Sequence, residues 1–481
     1  MGHDLPRSAP VDQRLDPAAL LAFVDAVDAD PAVELHSLMV VRHGHVVAEG
    51  WWAPHTPERP RQLYSLSKSF TSTALGFALG EGLVDLDDTV VSHFPELAEE
   101  ITDPRVRSIT LRHLASMASG HTRDMREEAL AHDPQEPVRG FLMVPPDEEP
   151  GTVFAYSQPC TYTLGTVIQR AAGTSLSGYL RPRLFDPLGI GEVGWLAWPP
   201  GREQGFSGLF ARTEDIAKLG LLYLQRGRWG DTQLIPESYV SQATSRQIDT
   251  PDETNADWSQ GYGFQFWMSR HGYRGDGAFG QFCVVLPEQD AVVVTTAGTE
   301  AMQAVLEHLW VHLLPGFESE TPGDSVQQSL EKRLGGLAVP ACAAQPAPPR
   351  WEDWTGRPFP VAHPGRGLPA SSSLTSVALR RADDRLEVAL VEPDNELTFP
   401  VGAGHWLTST PPDAYGDRVP VAASGGWLDD HTLRVEVIFL ESPHRMDITC
   451  SLPTRTAETT WRPPPLDGGR LRTLHRPRGA E

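Results

Sequence analysis

Ser65 and Lys68 stand three residues apart in Tyr64-Ser65-Leu66-Ser67-Lys68, and on a helix that gap puts both side chains on one face, one turn apart. A hydroxyl is a poor nucleophile until a neighbouring base removes its proton. A lysine amine can serve once burial disfavours its charged form, whereas a guanidinium keeps its proton in proteins. Residue usage sharpens the point: of 40 cationic residues, only Lys68, Lys218 and Lys332 are lysines. An amine at position 68 therefore stands where arginine is the chain's usual cation. By itself the spacing recurs by chance, and an N-cap serine beside a solvated lysine is its ordinary explanation. Two other segments change that balance. One is Phe154-Ala155-Tyr156-Ser157-Gln158, ahead of a helical run; the other is the glycine-rich Arg274-Gly275-Asp276-Gly277-Ala278-Phe279-Gly280-Gln281.

These residues need a scaffold, and the periodicities supply one. The stretch from Ser65 to Glu81 is rich in Ala, Leu and Phe on nearly all faces, the pattern of a helix buried at a domain centre. Its N-terminus adds positive potential for a developing alkoxide. Residues 35 to 52 read as a β-hairpin turning at His43-Gly44-His45. Further helices are expected near 109–117, 161–172, 212–226, 300–314 and 325–334, and strands at 261–268, 280–286 and 291–297. Helices between an early hairpin and late antiparallel strands predict a mixed domain, α/β of the α+β kind, whose two ends share one central sheet. It is assigned residues 1–337. The Ala/Pro-rich, uncharged stretch 338–350 reads as a linker. Beyond it, in 351–481, helical periodicity gives way to short alternating runs at 374–379, 385–391, 397–401, 432–439 and 446–452, a second, all-β unit expected to be a small antiparallel barrel or sandwich.

Bulk properties limit the function classes. At 481 residues and about 150 residues per domain, the chain exceeds a single small binding module. A net charge of −23 repels phosphate backbones and anionic lipid, which argues against nucleic acid or membrane surfaces as partners. The start, Met1-Gly2-His3-Asp4-Leu5-Pro6-Arg7, lacks the cationic-then-apolar pattern of a signal peptide. No apolar run reaches a membrane span, so a cytoplasmic location is expected. Cys160, Cys283, Cys342 and Cys450 are far apart without metal-ligand spacing, which fits reduced thiols and neither a disulfide frame nor a metal site. The acidic turn at 85–88 reads as solvated carboxylates, and no cofactor is implied.

Taken in order along residues 30 to 315, the blocks Ser65-Leu-Ser-Lys68, Gly82-Leu-Val-Asp, Ile109-Thr-Leu-Arg-His-Leu, Ser119-Gly120, Phe154-Ala-Tyr-Ser-Gln, Gly208-Leu-Phe-Ala-Arg-Thr-Glu-Asp-Ile-Ala217 and Gly261-Tyr-Gly-Phe resemble the penicillin-recognising serine hydrolases. That superfamily includes class C type β-lactamases, DD-peptidases and related esterases and amide hydrolases. The resemblance implies a β-lactamase/transpeptidase-like domain with an all-α subdomain. It makes Ser65 the acylated nucleophile, Lys68 its proton acceptor, and Tyr156 the tyrosine of the YxN motif, relaying protons to the leaving group. Without it, Tyr156 would read as a packed aromatic. By motif position the amides of Ser65 and Ala278 form an oxyanion hole. Gln158, Gly275, Asp276 and Gly277 fall at substrate-binding positions. Two departures stand out: Gln158 replaces the YxN asparagine, and Gly275-Asp276-Gly277 replaces KTG, so the cation that receives a penicillin carboxylate is missing. An acidic Asp276 is expected to disfavour anions, and a lysine restored at Gly275 to favour them. The C-terminal unit resembles lipocalin-like domains appended to some members.

The expected activity is hydrolysis of an ester or amide, in a small molecule or peptide that is neutral or cationic, through acyl-Ser65. Efficient β-lactamase activity is not expected. An acyltransferase or peptide cyclase could use the same acyl-enzyme. A non-catalytic acyl-binding or sensor module is the third reading, against which the intact Ser65, Lys68 and Tyr156 speak.

Overall fold

The β-rich runs at the two ends of the first 300 residues pair into one sheet. In the computed structural model, which describes residues 4–318, 324–345, 348, 351–362, 372–382 and 385–477, six strands form it: β1 (Leu35–Arg42), β2 (His45–Trp51), β3 (Trp267–Met268), β4 (Tyr273–Gly277), β5 (Gln281–Leu286) and β6 (Ala291–Ala297). Their order is β2-β1-β6-β5-β4-β3, with antiparallel neighbours throughout. His43 and Gly44 turn the first hairpin with φ of 49° and 78°, the paired left-handed conformation that closes two-residue hairpins. Residues 1–3 of the N-terminal stretch, and 346–347 and 349–350 of the expected linker, lie outside the described residues.

Apolar runs such as Val40-Val41 and Val292-Val293-Val294 lack alternation because both faces of the sheet are covered. Met39, Val41, Val292 and Val294 face a core shared with helices α2 (Ser67–Gly80), α3 (Gln158–Ala172) and α4 (Thr213–Leu224). Leu38, Val40 and Val293 face a second core with α1 (Pro17–Ala29) and Leu330 of α5 (Asp324–Gly335). Short helices, including Leu111–Ala115, Arg126–His132 and Pro137–Leu142, form the helical side with α2 and α3.

The C-terminal residues form two antiparallel sheets. One is β7 (Phe359–Pro360), β8 (Ser376–Ala382), β9 (Arg385–Val391) and β10 (Glu396–Pro400) in sequence order; the other is β11 (Leu407–Ser409), β12 (Val421–Asp429), β13 (Thr432–Phe439), β14 (Arg445–Ser451) and β15 (Thr456–Arg462). Leu379, Val388, Phe399, Val435, Ile448 and Trp461 from both sheets share one core. Among the described residues no closed barrel forms; isolated bridges at Val361–Ala457 and Gly402–Ser424 join the sheets. Ala422, Ile438 and Leu440 enter the core under the six-stranded sheet, so the C-terminal sheets are packed against the rest of the chain. All four cysteines are free and buried. No helix among the described residues is long and apolar enough to cross a membrane.

Candidate active site

Between residues 61 and 78 every residue is buried except Ser65. The expected helix begins later than its periodicity suggests: Tyr64–Leu66 form a 3-10 turn, and α2 starts at Ser67. Its five hydroxyl residues, Ser67, Ser69, Thr71, Ser72 and Thr73, look out of place in a buried helix. Each has a carbonyl acceptor. Ser69 donates to Gln265 O at 3.0 Å, Thr71 to Gly205 O at 2.8 Å and Ser72 to Phe264 O at 2.6 Å, while Ser67 and Thr73 bond to Tyr64 O and Ser69 O. Hydroxyls buried this way are satisfied, and they fix where the helix sits against neighbouring loops.

Lys68 is 1% exposed. Its Nζ donates to Ser65 Oγ at 3.0 Å, Gln158 Oε1 at 2.7 Å and Phe206 O at 2.9 Å. As an ammonium it has three protons for three acceptors. As a neutral amine it keeps two bonds, to the amide and the carbonyl, neither of which can donate to it from the oxygen concerned. The lone pair then falls toward Ser65. Burial lowers the Lys68 pKa to about 7, against the opposing pull of Asp124 and Asp276. The arrangement suits proton exchange with the serine at neutral pH. Gln158 is the first residue of α3, and its backbone N–H donates to Asp124 Oδ1 at 2.9 Å, which fixes the helix end that presents the amide.

Tyr156 lies over Lys68, with Nζ 4.7 Å from the ring centroid, and stacks on Trp267 at 5.4 Å. Burial raises its phenol above the ordinary tyrosine range, while Ser65 opposes that shift. It is thus a protonated phenol at neutral pH, able to give a proton rather than to act as phenolate.

The glycine-rich segment is itself strand β4 followed by the turn at Ala278–Gly280. A Cβ on Gly277 would lie 2.1 Å from Leu63 O, and one on Gly275 would lie 2.3 Å from Leu66 Cδ1 and 2.8 Å from Ser69 Oγ. The glycines let this strand pass against the turn Tyr64–Leu66 that carries Ser65. Gln281 Nε2 ties down Ala278 O at 3.1 Å. A lysine at Gly275 would therefore have to displace the Leu66 and Ser69 side chains before it could meet a substrate anion. Gly277→Ala should lower stability by about 3 kcal/mol, the upper end for overpacking, read as a fall in the urea midpoint. Gly335→Ala, where a Cβ meets nothing within 4 Å, should leave it nearly unchanged.

Asp276 is not the bare charge expected. Arg274 Nε donates to its Oδ2 at 2.9 Å, and both side chains are buried. Burial pushes the carboxyl up to about 6, with Arg274 opposing. Paired in this way, Asp276 meets a substrate as half of an ion pair rather than as a lone carboxylate, which weakens the repulsion expected of it toward anions. Arg274 also lies over Trp258 at 4.3 Å.

A cavity of about 390 Å³ opens beside Gln158 and Phe206, two of the three acceptors of Lys68. Leu130, Pro137, Leu196 and Trp198 give it apolar walls, and Asp467, Arg472 and Thr473 from the C-terminal residues line it too. Arg126 donates to Asp467 at 2.8 Å across this boundary. Sequence reasoning missed Phe206, Trp267 and Arg274. Phe206 contributes a backbone carbonyl, which no residue pattern announces. Arg274 becomes legible only once its segment is read as a strand, because residues two apart on a strand share a face.

The structure thus gathers Lys68, Tyr156 and Gln158 around the half-buried Ser65 hydroxyl and runs strand β4 against the turn that carries it. Among known proteins, this chain is 25% identical over 376 residues to penicillin-binding protein 4 of Amycolatopsis lactamdurans, covering 69% of this chain and 89% of that protein. It is 24% identical over 286 residues to the 6-aminohexanoate-dimer hydrolase of Paenarthrobacter ureafaciens, covering 54% and 71%. It spans only 39% of a beta-lactamase of Escherichia coli K12, at 27% identity. The solved structure of SurE shares the fold over 88% of this chain and 98% of its own, with a TM-score of 0.51 at 20% identity. The beta-lactamase family model matches residues 23–310, the span that holds the sheet, the serine and its partners; the chain belongs to the beta-lactamase family.

Proposed function

We propose that this chain is a serine hydrolase that cleaves a neutral ester or amide through an acyl-Ser65 intermediate. The observation that carries the reading is the buried Lys68 amine, held by Gln158 and Phe206 so that its lone pair meets Ser65 Oγ. Ser65 Oγ attacks the substrate carbonyl carbon as its proton passes to Lys68. The amides of Ser65 and Ala278 receive the oxyanion. The tetrahedral adduct then collapses: the carbonyl re-forms, the bond to the leaving group breaks, and Tyr156 gives that group a proton, to be replenished from Lys68. Water attacks the acyl-enzyme by the reverse sequence and releases the acid and free Ser65.

Substrate class follows from the walls. The cavity beside Gln158, apolar along Leu130, Pro137, Leu196 and Trp198 and bordered by Arg126, Asp467 and Arg472, suits a medium-sized acyl or leaving group with an apolar body. No lysine stands at Gly275, and the Arg274–Asp276 pair is internally neutral, so the side of the site where penicillin carboxylates are received offers no free cation at those positions. One relative carries the name of a hydrolase of the 6-aminohexanoate dimer, which agrees with amide cleavage outside the β-lactams.

The test is mass spectrometry after mixing with a short p-nitrophenyl ester. A burst of nitrophenolate and an acyl mass increase on the peptide carrying Ser65 are expected. An adduct elsewhere, or none with turnover intact, ends the reading. Adding an alkylamine to the same mixture distinguishes hydrolysis, which yields acid, from acyl transfer, which yields the amide.

A further inference from the structure

We infer that His444, carried by the turn between β13 and β14 of the C-terminal sheets, is a positioning residue for both halves of the oxyanion hole. The inference rests on the hydrolase reading above. Tyr64 immediately precedes Ser65, and Phe279 immediately follows Ala278, so these two residues flank the two amides assigned to the hole. Both hold left-handed backbone, with φ of 49° and 68°, a conformation that non-glycine residues rarely adopt and that the surroundings must maintain. The turn at Leu440–His444 reaches both.

Tyr64 Oη lies 2.5 Å from His444 Nε2. The other ring nitrogen, Nδ1, lies 2.8 Å from Pro463 O, which can only accept. Nδ1 therefore carries the proton of the neutral ring, and Nε2 accepts from the tyrosine hydroxyl. Burial keeps the ring neutral by lowering its pKa to about 3 and keeps the phenol protonated, so this relay has one direction only. His444, Tyr64 and Phe279 also form a triangle of edge-on rings, with centroids 5.3 to 5.7 Å apart. His444 is 0% exposed.

The same turn holds the approach to the nucleophile. Arg61 donates to Ser442 O at 2.8 Å and Leu440 O at 3.3 Å, and Gln62 N donates to Glu441 O at 2.8 Å. Behind the turn, a Cβ on Gly298 would meet Pro443 O at 2.6 Å, so no slack separates it from the end of β6. The C-terminal sheets thus set the geometry of the catalytic turn rather than merely covering it.

Full-length Tyr64→Phe, His444→Phe and the double variant provide the test, with rates expressed per active site titrated by the acyl burst. Acylation and deacylation both pass through an oxyanion, so kcat should fall about 10- to 100-fold with KM within about twofold, because the lost alignment acts on the transition state. The dissociation constant of a boronic acid, which forms a tetrahedral adduct, should rise by the same factor. The double variant should be no worse than the poorer single, since one relay is broken from either side. A purely structural histidine would lower the melting temperature and leave the rate per titrated site within about twofold, and that result overturns the inference. Should His444→Phe fail to fold, Tyr64→Phe keeps the packing and decides alone. Loss of the Ser65 adduct in the parent chain would instead strike the hydrolase reading, so the two failures are distinct.

Discussion

Ser65→Ala should eliminate both the nitrophenolate burst and the covalent adduct, and lower kcat/KM by about 10⁴-fold or more, as removal of a catalytic nucleophile does elsewhere. Ser65 is half-buried, the one residue with a solvent-accessible hydroxyl in an otherwise buried stretch. No neighbour can replace it: Ser67 is buried and committed to Tyr64 O, and Ser69 is buried and donates to Gln265 O. Alanine fits the 3-10 turn without strain, so the melting temperature should move by no more than a few degrees. Retention of more than about one per cent of the parent rate at unchanged adduct stoichiometry would place the nucleophile elsewhere.

Lys68→Arg should be almost as damaging as Lys68→Ala, at about 10³-fold in kcat/KM, in the middle of the range for general-base removal. Arginine keeps the charge and can still donate to Gln158 and Phe206, but it does not surrender a proton in proteins. The parent enzyme should show kcat/KM rising with pH through about 7 and levelling above it, because the active form of Lys68 is the neutral amine and its pKa is lowered to about 7 by burial. Below that pH the amine is protonated and cannot accept from Ser65. No further rise from Tyr156 is expected near neutrality, since its phenol titrates above its ordinary range. In Lys68→Arg that limb should disappear along with the activity. A retained limb at the same pH would assign the titration to another group.

Much of this site was legible because helical spacing fixes which side chains meet. Ser65 and Lys68 needed only one turn of helix. The hairpin at 35–51 was equally plain, since Val-rich runs broken by a glycine turn leave few alternatives. Strand β4 was hidden, because Gly275 and Gly277 carry no β preference; their role is to let the strand approach α2, a tertiary demand no local propensity reports. Missing the strand also hid the Arg274–Asp276 pair, which its alternation would have exposed. In the C-terminal residues, β12 contains Ala-Ala-Ser-Gly-Gly, and β15 alternates through Ala457, Thr459 and Trp461, of which only the last is a large apolar residue, so neither announces itself as a strand. The contact of His444 with Tyr64 crosses 380 residues, and nothing short of the folded chain brings the two together.

The pairing of β1 with β6 sets an order of events during synthesis. Strand β1 lies between β2 and β6, and its partner Ala291–Ala297 emerges about 250 residues after it. At about 5–20 residues per second, the N-terminal hairpin waits roughly 12 to 50 seconds with a Val-rich edge unpaired. Such an edge is a template for unwanted pairing between nascent chains. Yield on overexpression should therefore depend on chaperones that bind extended apolar segments, and on slower translation at lower temperature, more than on the stability of the finished fold.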